Sequence, residues 1–197
     1  IEQGVTRVKL LSLLSDNYLL VQDGDELLLA DIVAMWQVNC KMQLLATWEQ
    51  GVISQPLLLP ISIKLDKNFV ETAKNQQNLL NRLGLELNYS NAATIIVRKV
   101  PAQLRQANLS AVLPELLQQI VHLSEKATAS DVAALCHWLA IQGSHGLTKF
   151  TWEQATQIYS QFIEQESCVQ QQYRSKLFEK LDYMSVIERF NCASTAN

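Results

Sequence analysis

Asn17-Tyr18-Leu19-Leu20-Val21-Gln22-Asp23-Gly24-Asp25-Glu26-Leu27-Leu28-Leu29-Ala30-Asp31 decides the architecture of the first part of the chain. Two short apolar runs flank Asp23-Gly24-Asp25, where glycine supplies the positive φ of a tight hairpin turn. Upstream, Val5 to Leu14 is apolar and partly alternating, so the three runs predict an antiparallel meander of three strands. Alternation in the first run puts Val8, Leu10 and Leu14 on one side, and Val5, Leu11 and Leu13 on the other. Both faces are apolar, so both are expected to be covered, one by helices and one by a partner.

Asp31 is placed to cap a helix in which Val33, Met35, Trp36, Val38, Met42, Leu45 and Trp48 recur at three- and four-residue spacing. Ile61 and Ile63 mark a short strand. Asp66 opens a second helix whose stripe is Phe69, Val70, Ala73, Gln77, Leu80 and Leu83, and Gly84 stops it. Leu85 to Tyr89 and Thr94 to Val100 read as strands joined at Ser90-Asn91, and Pro101, lacking an N–H, ends that ladder. Leu109 to Leu123, Ser130 to Ile141 (capped by Ser130) and Thr151 to Glu166 carry helical periodicity, interrupted at Gly143-Ser144-His145-Gly146. A short strand near Lys176 to Leu181 and a helix from Asp182 to Phe190 close the chain. Trp36, Trp138, Trp152 and Tyr159 fall at core spacing. The order predicts an α+β fold of two lobes. Residues 1–54 plus 148–197 form a small antiparallel sheet with helices, and residues 55–147 form an inserted α/β lobe.

A length of 197 residues with 48% hydrophobic content suits one ordinary domain or two small lobes. Four prolines and six glycines argue against long flexible linkers. A net charge of −3 excludes DNA binding driven by the overall field. The basic spots at Lys64 with Lys67, Arg98 with Lys99, and Arg174 with Lys176 and Lys180 read as solvated surface, so DNA contact is expected to be weak or absent. Cys40, Cys136, Cys168 and Cys192 form no Cys-x-x-Cys pair and read as reduced thiols of a cytosolic protein. No apolar run approaches the roughly 20 residues that span a bilayer, so no membrane partner is expected. The first residue is Ile1 and Cys192 to Asn197 is a small polar tail, as expected of a fragment of a longer protein.

Gln55-Pro56-Leu57-Leu58-Leu59-Pro60 fits the pattern Gln-x-x-Leu-x-Pro and resembles the sliding-clamp-binding peptide of replication and repair proteins. The Gln55 amide can donate and accept hydrogen bonds in a small polar pocket. Leu58 can fill an apolar cleft, and Pro60 holds the backbone extended at little entropic cost. No Ser-His-Asp order, phosphate loop or pair of catalytic carboxylates accompanies it, so no catalytic residues are assigned.

Gln55 to Ile61, Val97-Arg98-Lys99-Val100-Pro101-Ala102-Gln103-Leu104-Arg105-Gln106-Ala107-Asn108-Leu109 and Leu113-Pro114-Glu115-Leu116 together resemble the C-terminal domain of the MutL family of DNA mismatch repair. The resemblance implies a homodimer, built through a lobe made from both chain ends, with the middle of the chain as an external lobe. Val8, Leu10 and Leu28 on the outer face of the first sheet, with Val186 and Ile187 of the last helix, are the expected dimer interface. Many family members carry a metal-dependent nicking nuclease whose motif, Asp-Gln-His-Ala-x-x-Glu-x-x-x-x-Glu, falls here on Asp31 to Met42. Asp31 and Ala34 remain, but Ile32, Val33, Gln37 and Met42 replace the amide, the imidazole and both carboxylates. Such side chains supply none of the oxygen and nitrogen ligands these metals need. Cys136 resembles the remnant of a second nuclease motif, and Gln171-Gln172-Tyr173-Arg174 stands where a third should lie. Cys136 and His137 are neighbours on one helix, about 100° apart, and do not chelate together. The resemblance therefore implies a non-enzymatic domain without metal or cofactor. It also implies, in the full-length protein, an ATPase elsewhere, and as partners a sliding clamp, the recognition protein MutS, the nickase MutH and the helicase UvrD. A cryptic nuclease and a generic self-association scaffold are the alternatives. The expected setting is the bacterial cytoplasm, at the nucleoid during repair.

Overall fold

A computed structural model of the chain describes residues 8–121, 123 and 127–194, without the side chains of 191–194. Strands β1 (Lys9–Leu14), β2 (Tyr18–Asp23) and β3 (Glu26–Asp31) form the meander. Gly24 takes φ 61° in the turn that pairs Asp23 with Glu26. The carboxylate of Asp31 accepts from the Ala34 amide at 2.9 Å and caps α1 (Ile32–Thr47). Then follow β4 (Ser54–Lys64), α2 (Lys67–Asn75), α3 (Gln77–Arg82), β5 (Glu86–Asn91), β6 (Thr94–Pro101) and a 3-10 turn (Ala102–Leu104). Helices α4 (Leu109–Ile120), α5 (Ala129–Ser144), α6 (Trp152–Ile163) and α7 (Ser167–Leu177) precede β7 (Phe178–Lys180) and α8 (Met184–Ser194). The sheets run β1-β2-β3-β7 and β4-β6-β5, and the fold is α+β. Among the described residues no helix is long and apolar enough to cross a membrane.

The chain divides into two compact units, residues 1–36 with 148–197, and residues 37–147. The break after Trp36 falls earlier than residue 54 because Leu44, Trp48 and Val52 are buried in the core of the second unit, with Leu80, Leu83, Val97 and Leu117. In the first unit the register puts Leu10, Leu13, Leu19, Val21, Leu28 and Ala30 on one face, with Phe178. That face meets α6, where the Phe178 ring lies 6.3 Å from Tyr159 and 6.1 Å from Phe162.

This register overturns part of the expected dimer interface. The β1–β2 pairing shifts between Leu10 and Ser12, which resets the two-residue alternation and moves Leu13 to the inner face and Leu14 to the outer one. Leu28, 6% exposed, points into the helix-covered side, and Leu10 shares its face. Val8 lines a hollow with Val21, Leu28, Tyr159 and Phe162. The outer face instead carries Leu14 and Tyr18, 41% and 40% exposed, and the half-buried Leu20, Leu27 and Leu29. Val186 and Ile187 do stand exposed on α8, with Met184 and Phe190. Val5, expected on the first strand, lies outside the described residues.

Other boundaries move for local reasons. The helix expected from Asp66 to Gly84 is two, broken at Gln76, whose side-chain amide donates to the Leu123 carbonyl at 2.9 Å. The β5–β6 turn sits at Ala92-Ala93 rather than Ser90-Asn91, closed by Asn91 Oδ1 accepting from the Ala93 amide at 2.8 Å. Thr128, not Ser130, caps α5, in a reciprocal box with Asp131, and α5 continues through Gly143 to Ser144. Helix α7 buries only Val169 and Leu177, too thin a stripe to announce itself. Trp152, expected in the core, is 42% exposed in the first turn of α6.

Gly84 fixes where β4 starts. It adopts φ +77°, and a Cβ there would stand 2.9 Å from the Val52 carbonyl oxygen, while the Val52 amide donates to Arg82 O at 2.8 Å. Gly84→Ala is therefore expected to cost about 2 kcal/mol or more in urea unfolding, from left-handed strain plus a backbone clash. Leu58→Ala should leave the midpoint almost unchanged.

Candidate partner-binding site

Strand β4 is an edge strand, hydrogen-bonded to β6 on one side only. Its pairing runs in register through Gln55↔Val100 and Pro56↔Lys99, then resumes at Ile61↔Val97. Between these points four residues, 57 to 60, face the single Arg98 of β6. So large a mismatch throws the intervening backbone out of the ladder. Pro56 precedes the bulge and Pro60 ends it, and neither has an N–H to lose.

The bulge sorts its three leucines. Leu57 packs on the core of its unit, whereas Leu58 is 93% exposed and Leu59 79%. An exposed leucine contributes nothing to the core, and burying one against a partner is worth about 1.5–3 kcal/mol. Gln55, half-buried beside the bulge, accepts through Oε1 from Arg105 Nη1 at 3.5 Å. The expected site residues Gln55, Leu58 and Pro60 thus lie on one short stretch of edge backbone, with both leucine and proline facing solvent. An extended apolar peptide with a polar anchor can insert into a cleft on another protein. Neither the bulge nor the Arg105 contact was read from sequence. The spacing of Pro56 and Pro60 inside one strand was the available signal, because a ladder cannot run through two prolines undisturbed.

The positions at which the resemblance leads one to look for a nuclease motif serve the fold in this chain. Asp31 caps α1 and Ile32 is fully buried. Ala34 supplies the capped amide, and Gln37 Nε2 donates to Ser144 Oγ at 2.7 Å. Cys136 is buried, and desolvation pushes its thiol up to about 11, against a weaker opposing pull from Lys41. Burial likewise raises Cys40 to about 12. Among the described residues no group of three or more His, Cys, Asp or Glu side chains is arranged to hold a metal ion. Brief iodoacetamide treatment of the folded chain at pH 8, read by peptide mass spectrometry, should label exposed Cys168 and spare Cys40 and Cys136 until urea is added.

The family model described as the MutL C terminal dimerisation domain matches residues 11–147. A DNA mismatch repair protein MutL of Aeromonas hydrophila is 43% identical over 133 residues, covering 68% of this chain and 21% of the relative. The MutL of Shewanella woodyi is 40% identical over 158 residues, covering 79% of this chain and 24% of the relative. The MutL of Aliivibrio fischeri is 27% identical over 190 residues, covering 96% of this chain and 28% of the relative. The chain thus spans between 21% and 28% of the length of these relatives. A match that runs from the first sheet through the bulge of β4 to the end of α5 places this chain in the MutL C-terminal dimerisation domain family of DNA mismatch repair.

Proposed function

We propose that this domain is a non-catalytic hub that self-associates and docks a replication sliding clamp on the β4 bulge. The exposure of Leu58, at 93%, within a Gln-x-x-Leu-x-Pro sequence is the observation that carries the reading. Gln55 enters a polar pocket of the clamp, and Leu58 and Pro60 enter the adjoining apolar cleft. One such peptide binds weakly, on the order of micromolar or poorer. A dimer offering two copies to a ring-shaped clamp gains by effective concentration where the geometry lets both engage.

In the full-length protein the domain works with an ATPase elsewhere in the chain. It relays mismatch recognition by MutS to nicking by MutH and to loading of the helicase UvrD, in the cytoplasm at the nucleoid. It carries no metal or cofactor of its own, and contacts DNA weakly at most. Self-association uses the outer face of the first sheet, around Leu14 and Tyr18, with the exposed apolar stripe of α8. Sedimentation of Leu14→Glu with Tyr18→Glu should show a monomer at concentrations where the parent is a dimer. A dimer of unchanged stability would place the interface elsewhere.

Clamp binding is tested by calorimetry or surface capture with the purified clamp. Gln55→Ala with Leu58→Ala should weaken binding at least tenfold, since truncating one buried anchor costs about 1–2 kcal/mol or more, and should leave unfolding unaffected. Equal affinity of both forms would defeat the clamp assignment.

A further inference from the structure

The clamp-binding reading leaves Gln55 with a problem of presentation. A glutamine side chain turns about three bonds and can offer either its carbonyl oxygen or its NH2 to a partner. In this fold one neighbour bears on that choice. Strand β6 leads through Pro101 into the 3-10 turn Ala102–Leu104, anchored by fully buried Leu104, and the Arg105 amide closes that turn onto the Ala102 carbonyl at 3.3 Å. Arg105 thereby comes back alongside the start of β4, where its Nη1 meets Gln55 Oε1 at 3.5 Å. The nearby cations of β6 are engaged elsewhere. Lys99 pairs with Glu86 at 2.7 Å, and Arg98 Nε faces the Asn88 amide, whose oxygen accepts at 2.8 Å once turned toward it.

We infer that Arg105 is a positioning residue of the β4 site, holding the Gln55 carbonyl oxygen so that the amide NH2 is presented to the partner. The inference rests on the clamp-binding reading above and adds the polarity of the contact. A guanidinium only donates, so the amide oxygen is the terminal atom of Gln55 that it can hold. With Oε1 engaged, the two N–H groups are left to meet the partner. The pocket that receives Gln55 is therefore expected to offer that NH2 hydrogen-bond acceptors, such as backbone carbonyls, a carboxylate or ordered water, while the second lone pair of Oε1 can still accept a donor. Holding the amide beforehand also removes part of the ordering cost of binding.

The test is a double-mutant cycle on clamp affinity with Arg105→Ala, Gln55→Ala and the two combined. Arg105→Ala should weaken binding about two- to five-fold, as befits an exposed charge-assisted contact, with no change in melting temperature. In the Gln55→Ala background it should have no further effect, a coupling that a general charge effect does not produce. Arg105→Lys, which still donates, should recover part of the loss. An equal loss in both backgrounds, no loss, or tighter binding by Arg105→Ala would overturn the positioning role. The clamp assignment fails separately: then Gln55→Ala with Leu58→Ala leaves affinity unchanged. Loss in that pair without loss in Arg105→Ala overturns the positioning role alone.

Discussion

Four residues of β4 stand against one of β6, and the surface of the second unit is organised by that mismatch. On either side of it the strands are in register, with Gln55 opposite Val100 and Ile63 opposite Ile95. The surplus backbone cannot be absorbed in the ladder, and Pro56 and Pro60 give it no N–H to satisfy there. Leu57 turns inward onto the core and Leu58 and Leu59 turn out. The protein thus exposes two adjacent leucines next to its core.

The core holds the bulge from behind. Leu44, Trp48 and Val52 bring the end of α1 into the cluster formed by β5, β6, α4 and α5. Gly84, in a left-handed conformation against the Val52 carbonyl, lets the chain pass close enough for β4 to start where it does. Leu57 packs on this core, while Leu58, Leu59 and Pro60 stay exposed. In the first unit the analogous device is the shift at Leu11 in β1, which decides which leucines meet the helices.

Much of the fold was legible in the sequence because its signals are local. Gly24 in the hairpin, Asp31 before α1 and Gly84 after α3 each act within a few residues, and each is found where it was expected. Parity was not legible. One shifted pair in β1 exchanges the faces of Leu13 and Leu14, and Leu28 lies on the helix-covered face because it pairs with buried Val21. Helix α7 was missed because a glutamine-rich segment with two buried residues shows no periodic stripe. At the candidate site the residue types were legible but their exposure was not. Leu57-Leu58-Leu59 reads equally well as buried strand, and only the register of β4 on β6 separates the inward leucine from the outward two.

Residues 57 to 60 acting as a recognition surface, rather than as an idle bulge, is the central claim. Hydrogen–deuterium exchange of the domain with and without the purified clamp tests it directly, since the Leu57, Leu58 and Leu59 amides report on this backbone. New protection confined to β4 from Gln55 to Ile61, with the outer face of the first sheet unchanged, is the predicted result. Clamp-dependent protection elsewhere, with these amides exchanging as in the free domain, would contradict it.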